Sequence, residues 1–326
     1  MRILVIGATG FVGGRLARLL ADTGHEVAGL ARNEAAERSL LTAGLTAVMG
    51  DLATPAPIVR SLARFDAVCF MPRIDFSQEF VVVKLLLDAL AGSGKRFIYT
   101  SGTGVLNHKT DGAWHEASYA EGDAFTPFPR VAARCDTENW VRAAAKRGVH
   151  AMVVRPPLIW GHGTARGLAA LHASARSGAI CYLGAGLNVM SSIHVDDLAD
   201  IYALVLERGV SGALYHAVSG ETNWRSLAAE VARLRGLPTR SIDFAEAQVL
   251  FGNAIALVIF SVCSRCRCPR TRSELGWTPK FDRLDIFAEL ADPRFMAITG
   301  TRADDLEYTY GTREDLVAAR SGMPSG

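Results

Sequence analysis

The 326-residue chain has no concentration of charge of one sign: 35 Lys and Arg stand against 33 Asp and Glu, a formal net charge of +2. Without a basic field, neither nucleic acid nor an acidic membrane surface is expected as a partner, and small molecules become the default. Nor is there an apolar run of the roughly 20 residues that a bilayer span requires. The most apolar stretch, Val249 to Cys263, is interrupted by Gly252 and Asn253 and reads as a buried or pocket-lining helix. Cysteine is sparse, six in all. Cys263, Cys266 and Cys268 lack a second paired cluster or a His pair, and Cys-x-Cys is poor zinc spacing, so no metal is expected. With no signal-peptide pattern ahead of Met1-Arg-Ile-Leu-Val-Ile, a reducing cytoplasm is the expected location. No internal repeat is visible.

What is present is alternation. Apolar, β-branched runs at Ile3 to Ile6, Val27 to Leu30, Ala47 to Met49, Ala67 to Phe70, Phe97 to Thr100 and Ala151 to Val154 are separated by helical patterns, the first over Gly10 to Thr23. Near-continuous hydrophobic strands between helices are what a parallel sheet covered on both faces demands. The expectation is a doubly wound α/β fold with a dinucleotide-binding domain over 1–155. A smaller substrate-binding portion follows over 156–300, laid across the carboxyl edge of the sheet where open α/β folds place ligands. A frayed tail is expected over 301–326. A monomer or a homodimer is expected.

Gly7-Ala-Thr9-Gly10-Phe11-Val12-Gly13 directly follows the first strand and opens the first helix. In that context Gly7 allows the tight turn, Gly10 lets backbone approach phosphate and Gly13 lets helix pack on strand, while the helix N-terminus attracts a pyrophosphate. An acidic residue about 20 positions on would favour NAD; this chain has Leu30-Ala31-Arg32-Asn33 instead. Arg32 suits a 2′-phosphate, so NADP is expected over NAD. Asp51, in Gly50-Asp51-Leu52, is placed to meet the adenine edge or to make a plain turn.

Together with Tyr99-Thr-Ser-Gly-Thr-Gly-Val105, Val154-Arg-Pro-Pro-Leu-Ile-Trp-Gly161, His194-Val-Asp-Asp-Leu198 and Ser273-Glu-Leu-Gly-Trp-Thr-Pro279, these pieces give the chain its likeness. It resembles the extended short-chain dehydrogenase/reductase group, the NAD-dependent epimerase/dehydratase family. That resemblance implies a Ser or Thr after the fifth strand and a Tyr-x-x-x-Lys on the next helix, which together move a proton at the substrate oxygen. Here the chain departs from the pattern. Counting back from Glu138, the lysine position holds Arg134 and the tyrosine position Arg130, and the hydroxyl position reads Gly102, flanked by Ser101 and Thr103. Arginine stays charged and cannot shuttle a proton. Arg134 can bind cofactor ribose or steady a developing alkoxide, while Arg130 faces substrate or solvent. Ser101 or Thr103 would polarise a carbonyl, or satisfy neighbouring backbone.

The resemblance also implies that Pro156-Pro157 forms a turn meeting the nicotinamide, and that His194 anchors a helix. Asp196 reads as that helix's N-cap. His108, His115 and Tyr119 are read as ordinary loop residues within reach of substrate. Arg265, Arg267, Arg270 and Arg272 are a candidate diphosphate grip or a surface charge run. Phe251, Ile255 and Ile259 in the 247–263 segment would form an apolar lid suited to an aromatic or polyketide-like ligand, or else core or dimer packing. The resulting expectation is a ketoreductase using NADPH on a bulky apolar ketone, similar to atypical reductases of antibiotic pathways. Two other classes stay open: a nucleotide-sugar epimerase or dehydratase, and a non-catalytic NADP-binding regulator.

Overall fold

A computed structural model describes residues 1–298; the tail expected over 301–326 lies outside the described residues. The first half alternates as its hydrophobic pattern dictates. The strands are β1 (Arg2–Ile6), β2 (Glu26–Ala31), β3 (Thr46–Met49), β4 (Ala67–Phe70), β5 (Arg96–Thr100), the two-residue β6 (His108–Lys109) and β7 (His150–Arg155). Between them run helices α1 (Phe11–Asp22), α2 (Glu34–Thr42), α3 (Ala56–Ser61), α4 (Phe76–Leu90) and α5 (Ala133–Ala143).

The second half adds β8 (Leu158–Trp160), α6 (Arg166–Ala173), β9 (Ile180–Leu183), β10 (Val189–His194), α7 (Val195–Arg208), β11 (Leu214–His216), β12 (Gly220–Asn223), α8 (Trp224–Arg235) and β13 (Thr239–Ile242). Last come α9 (Phe244–Phe251), α10 (Asn253–Ile255), β14 (Val262–Cys263), α11 (Pro269–Leu275), α12 (Asp285–Glu289) and α13 (Pro293–Met296).

Seven strands form one sheet in the order β11-β7-β5-β4-β1-β2-β3, with every pairing parallel. Because side chains alternate along a strand, β1 feeds two cores. Ile3 and Val5 join Leu16, Leu20, Ile201 and Val205 on one face, while Leu4 and Ile6 join Val82, Val83 and Leu86 on the other. β1 is thus buried on both faces, which is why its sequence reads as unbroken hydrophobicity rather than alternation.

The expected boundary at 155/156 falls at the end of β7. Beyond it the chain returns β11 to the edge of this sheet and lays α7 beside α1. The order of strands reverses between β1 and β4, and at such a switch point the carboxyl ends of the strands open a crevice.

The apolar 247–263 stretch is not one lid helix. α9 ends at Gly252, whose φ of +84 suits glycine; α10 then runs into a π-helical turn over Ala256–Phe260 before β14. Phe251 (1% exposed) and Ile255 (2%) turn inward, and Phe251 stacks on Phe260 at 4.2 Å. Their expected contact with substrate is therefore corrected: the break at Gly252 reorients the helix so that burying these large side chains in the core wins.

Candidate active site

A cleft of about 820 Å³ runs along the carboxyl edge of the sheet. One end is walled by Arg32, Gly50 and Asp51, the middle by Gly7, Thr9, Gly10, Phe11, Val12 and Gly13, and the other end by Ser101, Thr103, Arg134, Pro156 and Ile259. Thirteen of the sixteen residues assigned from sequence to catalysis, cofactor or substrate thus share one trench. Phe251, Ile255 and Arg130 do not. Arg130 is exposed on a one-turn 3-10 helix ahead of α5, so it does not continue the helical face of Arg134, and its expected role at the substrate is corrected.

The glycine turn fits a pyrophosphate. Gly7 has φ +105, and a Cβ there would lie 2.8 Å from the Met71 carbonyl oxygen; a Cβ on Gly13 would lie 2.2 Å from the carbonyl oxygen of Gly7. Neither position tolerates a side chain, and the helix is pressed against the strand end. Gly10 caps α1 without any side-chain hydrogen bond, and the first turn of α1 carries no acid. Side chains cap α2, α4, α7, α8 and α9, whereas α3, α5, α6 and α11, like α1, have no side-chain cap. The first-turn amides and the positive end of the α1 dipole are thereby left for an anion. Arg32 is exposed at the end of β2, with no carboxylate beside it in the cleft other than Asp51. The Asp51 carboxylate accepts from Ala53 N at 2.8 Å, a turn bond made while its side chain borders the cleft.

At the opposite end, Arg134 is held by a group that the sequence did not flag. Its Nη2 lies 3.0 Å from Glu79 Oε2 and its Nε donates to Oε1 at 3.3 Å, and its guanidinium lies over the Phe76 ring at 5.1 Å. Glu79 is 1% exposed and also accepts from the Tyr99 hydroxyl. Burial, reinforced by the Glu79 charge, pushes the Tyr99 phenol well above its usual range. A Cβ on Gly102 would meet Arg134 Nη1 at 3.4 Å, so the guanidinium sits beside the position where a hydroxyl side chain would project. The glycine at 102 and the arginine at 134 are thus spatially matched departures.

No Tyr, His, Lys, Cys or Glu lines the cleft among the described residues; its only acid is Asp51, at the far end. Beside Arg32, Arg73, Arg134 and Arg166, the wall offers neutral hydroxyls and amides. Ser101 (3% exposed) has a buried Oγ with no hydrogen-bond partner, and so do the Asn107 Oδ1 and the Ser264 Oγ. Leaving such a group unsatisfied costs about 1–3 kcal/mol. Thr103 is fixed by its backbone N–H, which donates to the Pro156 carbonyl at 3.0 Å, tying the turn after β5 to the Pro156-Pro157 turn. Asn107 and Ser264 carry no local sequence pattern; only the fold brings them to the wall.

The other singled-out groups lie outside the cleft. His108 stacks on His115 at 4.0 Å and its Nε2 bonds the Tyr119 hydroxyl at 2.9 Å. Arg265 pairs with Glu221, Arg267 with Asp123 and Arg270 with Glu274, and Arg272 lies over Trp277, so the candidate diphosphate grip is a set of local pairs. Cys263, Cys266 and Cys268 are buried thiols, and burial pushes Cys266 up to about 12.

Asp196 is not the cap of α7. Because the helix starts at Val195, His194 occupies that place and its Nδ1 accepts from Asp196 N at 3.2 Å. The Asp196 carboxylate instead pairs with Arg15 of α1 at 2.5 Å and with His162 at 3.1 Å.

A doubly wound parallel sheet whose glycine turn opens an uncapped helix defines a dinucleotide-binding protein of the Rossmann class. Residues 3–218 match the family described as NAD dependent epimerase/dehydratase family, and the chain belongs to that family. It is an NAD(P)-dependent protein of the oxidoreductase and epimerase kind. It is 30% identical over 295 residues to an uncharacterised protein of Schizosaccharomyces pombe, covering 87% of this chain and 97% of the relative. It is 30% identical over 227 residues to the 2-alkyl-3-oxoalkanoate reductase of Stenotrophomonas maltophilia, covering 65% of this chain and 67% of that protein. Its fold matches UDP-glucuronic acid 4-epimerase from Bacillus cereus, solved with UDP-glucuronic acid and NAD, with a TM-score of 0.72 at 14% identity over 91% of this chain and 99% of that one. No helix of the described residues is long and apolar enough to cross a membrane.

Proposed function

We propose that this protein is an NADPH-dependent ketoreductase acting on the carbonyl of a bulky, largely apolar metabolite of polyketide or aromatic type. The observation that carries the reading is the single cleft that joins the phosphate turn to Ser101 and then to an apolar wall of Leu158, Ile159, Met190, Val258 and Ile259. The resemblance to a bacterial reductase of a 3-oxoalkanoate supports it. Arg32, exposed where a ribose-binding acid would stand, supports the phosphorylated cofactor.

When bound, the nicotinamide supplies hydride to the carbonyl carbon. Ser101 donates a hydrogen bond to the carbonyl oxygen, polarising it and stabilising the charge that develops there. Since the cleft wall holds no titrating acid at this end, the proton reaches that oxygen from water, with the Ser101 hydroxyl as the last donor. Arg134, its charge balanced by Glu79, holds the turn at Gly102 and reaches cofactor ribose; it orients rather than transfers. Thr103 and Pro156 position the nicotinamide side of the turn.

The same lack of a titrating acid favours a second reading, an NADP-binding regulator without turnover. Nicotinamide absorbance followed with NADPH and a panel of polycyclic ketones separates the two. Sustained consumption establishes the reductase, whereas tight NADPH binding with no consumption across the panel favours the regulator.

A further inference from the structure

Asn107 and Ser264 meet at the substrate end of the cleft although 157 residues separate them. β6 and β14 pair antiparallel with Cys263 opposite His108, and Ser264 and Asn107 are the chain neighbours of that pair. Both line the cleft, at 6% and 0% exposure. The Asn107 side chain is oriented by its Nδ2, which donates to the Val258 carbonyl at 3.4 Å across the π-helical turn. Turning the amide over would set oxygen against oxygen there, so Oδ1 is the atom left without a partner. It can only accept. The Ser264 Oγ is likewise unpartnered, while the Ser264 backbone is pinned between Val189 and Ser191 of β10.

We propose that Asn107 Oδ1 and Ser264 Oγ form a neutral subsite for a hydroxyl group of the substrate, distinct from the carbonyl site at Ser101. The substrate class this selects is a hydroxyketone: an acceptor that cannot donate calls for an O–H, and Met190, Val258 and Ile259 line the same cleft with apolar surface. A buried acceptor that gains its only partner from the ligand discriminates strongly against the analogue without that partner. This inference rests on the ketoreductase reading for the placement of the carbonyl, but its test does not depend on turnover.

The probes are 1-tetralone and its 5-, 6- and 7-hydroxy isomers, rigid ketones whose hydroxyl cannot bond their own carbonyl. Their binding to the NADP-loaded full-length protein is measured by calorimetry. At least one hydroxy isomer should bind about tenfold more tightly than the parent, equivalent to about 1.4 kcal/mol. That ratio should collapse to within about twofold in Asn107→Ala and shrink in Ser264→Ala, with NADPH affinity and melting temperature confirming that the variants fold. Equal binding of parent and hydroxy isomers, no binding of any, or a ratio preserved in Asn107→Ala overturns the subsite. Selective binding without NADPH consumption retains the subsite and rejects the reductase reading; consumption with no preference does the reverse.

Discussion

Arg134 and Glu79 form an ion pair at 3.0 Å in which the arginine borders the cleft and the carboxylate is 1% exposed. The pair stands where the resemblance would place a lysine, and it converts that position from proton handling to support. Removing one partner strands the other. Arg134→Met should destabilise the fold by about 3–5 kcal/mol, because a buried carboxylate loses its counter-charge. The double variant Glu79→Gln with Arg134→Met should regain most of that loss. Urea denaturation of the four proteins of the cycle measures it; a small loss for the single variant would mean the pair is not needed for stability.

Ser101→Ala should reduce kcat on a ketone substrate by about 10²–10³-fold, the usual effect of deleting one donor to a developing oxyanion, while NADPH affinity stays within about twofold. Stopped-flow absorbance at saturating cofactor reads the first quantity and fluorescence titration the second. Retention of full kcat would remove Ser101 from the chemistry.

Arg32→Ala tests the cofactor preference. A charge-assisted hydrogen bond contributes about 1.5–3 kcal/mol, so NADPH should bind roughly 10- to 100-fold more weakly and NADH should be unaffected. Equal weakening of both cofactors, measured by calorimetry, would place Arg32 away from the 2′-phosphate.

Gly13→Ala should be poorly tolerated, since its new Cβ would lie 2.2 Å from a backbone oxygen that cannot swing aside. Overpacking of this kind costs about 1–3 kcal/mol and should also spread the phosphate turn. Gly24→Ala is the control for a glycine with positive φ and open space: it should lower the melting temperature without a selective loss of cofactor affinity.

Three histidines set an acid limit. Burial, the largest cause at each, holds His172, His194 and His216 down to about 4 from 6.5. The unfolded chain therefore takes up protons at these sites before the folded one does, so their contribution is complete above about pH 6.5 and is lost as pH falls toward 4. Urea midpoints recorded across that window should decline. His194→Asn, which keeps an acceptor for capping α7, should flatten the decline by one proton's share.

Much of the cofactor end was legible because its determinants are local. The tight turn, the close backbone approach and the uncapped helix are properties of seven consecutive residues, Gly7 to Gly13, and the doubly buried strands announce themselves as unbroken apolar runs. Arg32 and Asp51 follow from their places at strand ends. The reacting end was legible only as a departure: Arg134 at the lysine position was visible, whereas Glu79 reads in sequence as one acid in the first turn of an apolar helix.

The sequence by itself determined the sheet, its parallel sense and the phosphate turn, since hydrophobic period and backbone geometry act within a few residues of each other. Only the tertiary structure decided which groups share the cleft. Helix breaking at Gly252 sent Phe251 and Ile255 into the core, a 3-10 turn carried Arg130 to solvent, and the fold brought Asn107 and Ser264, 157 positions apart, to one cleft. Burial free energy sums over all of these neighbours at once, and no local pattern of residues encodes that sum.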